Sequence, residues 1–182
     1  ALALLAQHKE RIFVGPAVAW EMTFVEHYRA FGFEEGGPEH QGYAAELEAT
    51  KASVKRMREA GVRVLIGGDY GLNITPHGSY AKELEYFTRD FGFSPAEALQ
   101  AATKHGGEAF MPGGNLGTLE PGQLADIVVV NGNPLEDITV LQNPDNIPVV
   151  IKDGQIYAGL LHSHSPYLLS ADEFGGLLGA PG

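Results

Sequence analysis

The feature that most constrains this chain is an apolar segment at residues 62–69, which ends in Gly67-Gly68 and then a single carboxylate, Asp69. A short run of Val, Leu and Ile is typical of a strand buried on both faces of a parallel sheet. Enzymes built as βα-barrels keep their chemistry at the carboxyl ends of such strands. The segment therefore predicts a strand that presents Asp69 as a catalytic carboxylate. The alternatives are an ordinary turn aspartate or a helix cap.

The length of the chain limits how much of a barrel it can contain. Its 182 residues, 44% of them hydrophobic, suffice for one packed domain. A complete (β/α)8 barrel needs about 250 residues. Formal net charge is −11, and the Lys and Arg residues between positions 51 and 63 alternate with apolar residues as on a solvated helix face. This charge pattern argues against nucleic acid and anionic membranes as partners.

The chain has no cysteine, so any metal here must be held by His, Asp or Glu. This composition favours a cytoplasmic protein. The apolar opening at residues 1–6 lacks a basic region before it, so we interpret it as a helix remnant and not as a signal peptide. No segment approaches the roughly 18 apolar residues of a membrane span. Because the chain starts with Ala and has no initiating Met, we expect a fragment or a processed chain.

Strand-like and helix-like periods alternate along the first part of the chain, which predicts βα units. The predicted elements are a helix end at 1–9, a buried strand at 11–18, a short helix or loop at 20–28, an exposed loop at 33–42, and helices at 43–60 and 80–91. A further helix is predicted to begin at Ser94 with Glu97 completing a capping box. We expect it to stop near Gly106-Gly107.

Beyond Pro112 the sequence changes to short apolar runs between Gly, Asn and Pro residues. It predicts a buried strand at 124–131 and a hairpin that turns at Asp153-Gly154, a dipeptide suited to a two-residue turn. The last residues, 162–182, show little periodicity and are predicted to be a loop with a short helix. We divide the chain into βα units at 1–111, sheet strands at 112–160 and a tail at 161–182.

Several of these segments, in order, resemble one family. Gly67-Gly68-Asp69 is similar to the Gly-Thr-Asp that ends the eighth barrel strand of amidohydrolases, and Pro76-His77-Gly78 and Glu83-Leu84 follow as in one branch of them. Residues 94–103 resemble that branch's Thr-Pro-x-Glu-Ala-Leu-x-Ala-Ala-Thr helix. Residues 117–126 and the hairpin resemble its closing β-sandwich. The chain thus resembles the amidohydrolase superfamily, specifically its imidazolonepropionase and Xaa-Pro dipeptidase (prolidase-like) branch, over residues 11–157.

The resemblance implies an α/β fold: the C-terminal part of a metal-dependent (β/α)8 barrel, about strands 7 and 8, plus part of a small β-sandwich. It implies that Asp69 binds a divalent metal, expected to be zinc with one or two ions in the complete enzyme. Asp69 would also accept the proton of the metal-bound water. His77 is a candidate substrate contact or a plain loop histidine. Tyr70, Asn73 and Trp20 are candidates for substrate selectivity, with core packing or solvent exposure as alternatives. Glu21, Glu26 and His27 are predicted to form a solvated face.

The family's other metal ligands have no counterparts in sequence order: the His-x-His of strand 1, the Lys of strand 4, and the histidines of strands 5 and 6. Catalytic zinc sites keep about three protein ligands, so Asp69 alone is insufficient. We therefore expect a missing N-terminal segment, a partner chain, or self-association into a homo-oligomer. His162-Ser163-His164 lies after the hairpin, at the wrong end of the sequence for a strand-1 motif. It is interpreted as a surface tail that binds adventitious metal, the alternative being a circular permutation.

The function implied by the resemblance is hydrolysis of an amide or cyclic amide C–N bond in a small molecule, by metal-activated water. This chain alone is expected to be incomplete and inactive. The alternative is a non-catalytic scaffold or interaction module that keeps part of the fold.

Overall fold

The computed structural model describes residues 1–72 and 74–159 and forms six α-helices and five short strands there. The helices are α1 (Leu2–Gln7), α2 (Val18–Glu26), α3 (Pro38–Glu59), α4 (Ala81–Asp90), α5 (Pro95–Ala102) and α6 (Lys104–Phe110). The strands are β1 (Phe13–Val14), β2 (Arg63–Val64), β3 (Ile127–Val129), β4 (Val149–Lys152) and β5 (Gln155–Gly159). Short 3-10 helices occupy Tyr28–Phe31, Ile138–Gln142 and Pro144–Asn146.

The first sheet is a parallel pair, β1 with β2, in which Val14 lies opposite Val64. The connection between the two strands contains α2 and α3, so the predicted βα organisation is confirmed. The strand predicted over residues 11–18 is much shorter than expected. Pro16 has no N–H to offer a neighbouring strand, and Ala17 adopts a left-handed conformation (φ 52°) from which α2 starts.

Helix α3 confirms the helix predicted over residues 43–60 but begins earlier, at Pro38. The predicted loop at 33–42 is therefore wrong in its second half. Proline is well suited to the first turn of a helix, because its missing N–H would have no partner there and its φ is already helical. The helix ends at Glu59, one residue before the predicted end, and Gly61 follows at φ 74°, a conformation typical of the residue after a helix.

The hydrophobic core lies between α2, α3, α4 and α5 and includes Val64 of β2. Helix α4 contributes its centre: Phe87 is 0% exposed and packs edge-to-face on Phe93, with ring centroids 4.9 Å apart. The other buried members of the cluster are Val18, Met22, Leu47, Val54, Val64, Leu84, Tyr86, Phe91, Ala98, Ala101 and Ile138. The same packing fixes how α4 lies against the end of β2.

Helix α5 begins as predicted. The Ser94 Oγ accepts from the Glu97 N–H (3.3 Å), and the Glu97 carboxylate accepts from the Ser94 N–H (2.7 Å), which is a complete capping box. The predicted stop at Gly106-Gly107 is wrong, because α6 continues through both glycines. Glycine serves close packing here, since a Cβ on Gly107 would lie 2.5 Å from the carbonyl oxygen of Leu116.

The second sheet is antiparallel, in the order β3-β4-β5. The predicted hairpin between β4 and β5 is confirmed, and both of its turn residues have positive φ, Asp153 at 49° and Gly154 at 76°, as a type I′ turn requires. The buried strand predicted over residues 124–131 is shorter and more exposed than expected. Val128 is 54% and Val129 is 42% exposed, and since neighbouring side chains of a strand point to opposite faces, neither face of β3 is fully buried.

Within the described ranges, none of the helices is long and apolar enough to cross a membrane. The predictions for the tail, including His162 and His164, fall outside the described residues. The division at residues 111 and 160 stays a prediction.

Candidate functional site

Asp69 lies in the segment that leaves the carboxyl end of β2, and its side chain is exposed. The backbone around it is held by a compact loop. The Thr75 hydroxyl donates to the Asp69 carbonyl oxygen at 2.6 Å, and the Gly71 N–H donates to the Thr75 carbonyl oxygen at 2.9 Å. The Asp69 carboxylate makes no hydrogen bond or ion pair with the rest of the described chain, so it is available to an external ligand.

Tyr70 turns back toward the protein. Its ring covers Gly68 so closely that a Cβ there would lie 2.8 Å from Cε2 of Tyr70. Its hydroxyl donates to Oε2 of Glu83 at 3.4 Å. Burial, and then the Glu83 carboxylate, raise the pKa of the Tyr70 phenol. Tyr70 is therefore a half-buried side chain between the strand end and α4, and not a freely exposed one.

His77 is exposed on the same loop, and its Nδ1 lies 2.6 Å from the Tyr80 hydroxyl. The Tyr80 ring in turn meets the Tyr70 ring edge-to-face at 4.7 Å. The structure thus links two predicted site residues, His77 and Tyr70, through an aromatic side chain that sequence reasoning did not single out. Asn73 lies outside the described residues.

Glu83 was named from the sequence only as part of a family motif, and the structure makes it a prominent feature of the site. Its side chain is 1% exposed in the first turn of α4, and its Oε1 atom has no hydrogen-bond partner. Burial raises the pKa of Glu83 from its ordinary value of 4.5 to about 7. The backbone amides of Ala19, Gly67 and Gly68 and the Tyr70 hydroxyl lie close enough to oppose that shift.

A sequence signal for this burial was present. Glu83 precedes the fully buried Phe87 by four positions, so the two residues share one face of α4. A carboxyl group on the apolar face of a helix is unusual unless it has a partner. The partner, Tyr70, is remote enough in sequence that periodicity did not indicate it.

The raised pKa gives a prediction about stability and pH. A carboxyl that is protonated more readily in the folded state stabilises the fold fully below its unfolded pKa, and that contribution is lost as pH rises through about 7. In metal-free buffer, the free energy of unfolding should fall between about pH 4.5 and 7.5, by at most about 3 kcal/mol from this group. Urea titrations at several pH values measure it.

Glu83→Gln is the comparison for these titrations, because the amide does not titrate and keeps the shape. The free energy of unfolding of the parent minus that of Glu83→Gln should decrease as pH rises from 5 to 8, because only the parent loses stability. Parallel curves for the two proteins would show that Glu83 does not titrate in this range. The Tyr70 hydroxyl, 3.4 Å from Oε2 of Glu83, opposes the rise in the Glu83 pKa.

The remaining residues singled out from the sequence, on α2 and just after it, have contacts within the protein or are exposed. Trp20 packs edge-to-face on Phe24 at 4.8 Å, which favours its core-packing alternative. The predicted solvated face is wrong for Glu21, which accepts a hydrogen bond from Thr50 at 2.8 Å and has a buried Oε2 atom. Glu26 is exposed, as predicted, although its carboxylate accepts hydrogen bonds from Tyr86 and Arg89. His27 is exposed, as predicted.

The residues that the structure describes do not form a whole metal site. Residues 1–72 and 74–159 contain no group of three or more His, Asp or Glu side chains placed to hold a metal ion. Asp69 fits the role of a single ligand, since its carboxylate is exposed and has no competing cation in that part of the chain.

Comparison with known proteins identifies the family. The model of the amidohydrolase family matches residues 5–157. The chain belongs to the amidohydrolase family. Ochratoxinase from Aspergillus niger is 35% identical over 114 residues, which are 62% of this chain and 22% of that protein. Imidazolonepropionase from Geobacillus kaustophilus is 30% identical over 115 residues, 63% of this chain and 27% of that protein. This amidohydrolase chain thus spans about a quarter of the length of these curated relatives.

Solved structures agree with this assignment. The crystal structure of A. niger ochratoxinase superposes with a TM-score of 0.67 at 27% identity, covering 82% of this chain and 32% of that chain. A Xaa-Pro dipeptidase with methionine bound in its active site gives 0.62 at 31% identity, covering 81% of this chain and 34% of that one. The resemblance to the imidazolonepropionase and prolidase-like branch of amidohydrolases is confirmed, and these neighbours imply a fold of the (β/α)8 type.

Proposed function

We propose that this chain is the C-terminal part of a metal-dependent amidohydrolase that hydrolyses an amide or cyclic amide C–N bond of a small molecule. The observation that carries the proposal is Asp69, an unpaired carboxylate at the carboxyl end of a parallel strand in a member of this family. Barrel enzymes place catalytic groups at that end. In this assignment β1 and β2 are barrel strands 7 and 8, and β3, β4 and β5 belong to the small β-sandwich.

In the proposed reaction, Asp69 acts as ligand and general base. A divalent ion, zinc in our proposal and one or two in number, would lower the pKa of water toward about 7 and polarise the scissile carbonyl. Asp69 takes a proton from the attacking water as the new C–O bond forms. It then delivers that proton to the leaving nitrogen as the C–N bond breaks, so the carboxylate is regenerated.

We propose three residues that follow Asp69 in the sequence as substrate contacts: His77, Tyr70 and Asn73. For His77 this is supported by its exposure and by the fixed ring orientation that Tyr80 imposes. Tyr70 is the weaker candidate, because its hydroxyl is directed to Glu83.

A prediction separates substrate contact from metal binding at His77. His77→Ala in the complete enzyme should raise KM or lower kcat about tenfold, as expected when one hydrogen bond is lost, without releasing metal. Steady-state kinetics and metal analysis of the purified variant measure both. Loss of metal would make His77 a ligand and contradict this division of roles.

The partner in this proposal is a segment that supplies the other barrel strands, on an N-terminal stretch or on another chain. Both β1 and β2 are two residues long and pair only with each other in the described structure. Their outer edges carry backbone N–H and C=O groups that pair with no other strand. Such groups cost free energy when they are buried, and when exposed they favour pairing with another strand. A homo-oligomer formed through these edges is the alternative. With a net charge of −11, nucleic acid and membranes are not proposed as partners.

The test is to produce the chain together with the segment that completes the barrel and to assay it with zinc and with a chelator. Suitable substrates are N-acyl amino acids, Xaa-Pro dipeptides and a cyclic amide. We expect hydrolysis that depends on metal, and none from the chain alone. A complete assembly that folds, binds no metal and cleaves none of these amides would favour the second candidate, a non-catalytic scaffold.

A further inference from the structure

Glu83 is the one buried side chain of a charged residue type in the part of the chain that the structure describes. Burying a carboxyl group without full hydrogen bonding costs free energy, and an apolar side chain of similar volume would avoid that cost. Stability alone does not explain the residue. Its contacts point to what it does instead.

The carboxyl group lies where three parts of the molecule meet: the first turn of α4, the start of α2 and the end of β2. The amide of Ala19 faces it from α2, and the amides of Gly67 and Gly68 face it from the strand end. The Tyr70 hydroxyl donates to its Oε2 atom at 3.4 Å. Asp69 therefore lies between Gly68, whose backbone amide faces Glu83, and Tyr70, whose hydroxyl donates to it.

Tyr70 extends this arrangement to the rest of the loop. Its ring covers Gly68 on one side and meets the Tyr80 ring at 4.7 Å on the other. Tyr80 is hydrogen-bonded to His77 at 2.6 Å. A single buried carboxyl group is thus connected, through two tyrosines, to both ends of the loop that carries Asp69 and His77.

We propose that Glu83 is a positioning residue, which fixes Tyr70 and the Gly67-Gly68 backbone and thereby holds the Asp69 carboxylate in one orientation. Glu83 does not touch substrate in this proposal and acts through the loop. The effect of Glu83 on the order of the loop does not depend on the proposed function. The effect of Glu83 on turnover rests on the proposed function. Two experiments therefore test it separately.

The first experiment measures amide hydrogen exchange in this chain, with Tyr70→Phe and Glu83→Leu as test variants. Tyr70→Phe removes the hydroxyl contact and leaves the core intact, so it remains informative if Glu83→Leu fails to fold. The matched control is Tyr86→Phe, which removes a comparable contact between a tyrosine hydroxyl and a glutamate, Tyr86 to Glu26 at 3.2 Å. Tyr86 lies on α4, the helix that carries Glu83. Glu83→Gln, which keeps an acceptor oxygen, should largely restore the parent behaviour.

We expect exchange in residues 66–80 to rise about tenfold in both test variants, the size expected for one lost buried hydrogen bond, and to stay unchanged in the control. Exchange in α3 should not change. The proposal is overturned if residues 66–80 exchange within about twofold of the parent rate, or if exchange rises equally in α2, α3 and α4. The second result would mean that Glu83 supports only global stability.

The second experiment measures kinetics in the complete enzyme. A positioning role predicts that Tyr70→Phe lowers kcat about tenfold with little change in KM. It also predicts that Glu83→Gln keeps most of the parent kcat. A rise in KM with kcat unchanged would mean that Tyr70 acts only through substrate contact and would overturn the positioning role. If the parent itself shows no hydrolysis, the proposed function fails while the exchange result still decides the role of Glu83.

Discussion

Asp69→Asn in the complete enzyme should lower kcat by about 10²–10⁴ with little loss of fold, since the amide has the shape of the carboxylate but cannot take a proton. The physical basis is the exposed, unpaired carboxylate at the end of β2, whose backbone is held by Thr75. The fold is preserved because no described side chain relies on this carboxylate for a hydrogen bond. Single-turnover and steady-state rates measure the effect, and circular dichroism checks the fold.

The matched control is Asp145→Asn, the same chemical change at an exposed residue of the 3-10 helix Pro144–Asn146, far along the chain from the strand end. Its rate should stay at the parent level. An Asp69→Asn rate within about threefold of the parent corresponds to less than about 1 kcal/mol of barrier and would remove Asp69 from the mechanism.

Phe87→Ala should lower the free energy of unfolding by about 3–5 kcal/mol, because it leaves a cavity at the centre of the core. Phe87 is 0% exposed and packs on Phe91 and Phe93 at 5.3 and 4.9 Å between ring centroids. Domains of this size have a total stability of about 5–15 kcal/mol, so the loss is a large fraction of the whole. Urea unfolding followed by circular dichroism measures it.

Phe110→Ala is the control, because it removes the same side chain from a residue that is 81% exposed. Its cost should stay within about 0.5 kcal/mol. A cost below about 1.5 kcal/mol for Phe87→Ala would show that the core is not centred on α4. Since Glu83 lies one turn earlier on the same helix, such a result would also weaken the structural basis of its positioning role.

The features that the sequence predicted correctly are those decided by nearby residues. The capping box of Ser94 and Glu97 needs only four residues, and the turn at Asp153-Gly154 needs two. The period of α3 is likewise local, and it was correct over most of its length. The family motifs around Asp69 belong to this class, because they are contiguous in the sequence.

The features that were missed depend on contacts between distant residues. In the sequence, Gly107 indicates the end of a helix. In the structure, its lack of a side chain allows the backbone of Leu116 to approach α6 closely. The apolar residues of β3 signal burial, but Val128 and Val129 are both exposed. The spacing of Glu83 and Phe87 places Glu83 on the apolar face of its helix, but the sequence does not show that Tyr70 is its partner. The cytoplasmic location and the segment boundaries stay predictions.

The length of the β1–β2 pair determines what holds Asp69 in place. Pairing Phe13 with Arg63 closes a loop of about fifty residues, for which the entropic cost is roughly 3–4 kcal/mol. Two residues on each strand form only a few hydrogen bonds, each worth about 1 kcal/mol net. The strand pair therefore cannot sustain itself against chain entropy. Packing of α2, α3 and α4 supplies the remaining stabilising free energy. The helices therefore set the position of Asp69, and the strand pair forms because the helices hold its two strands together.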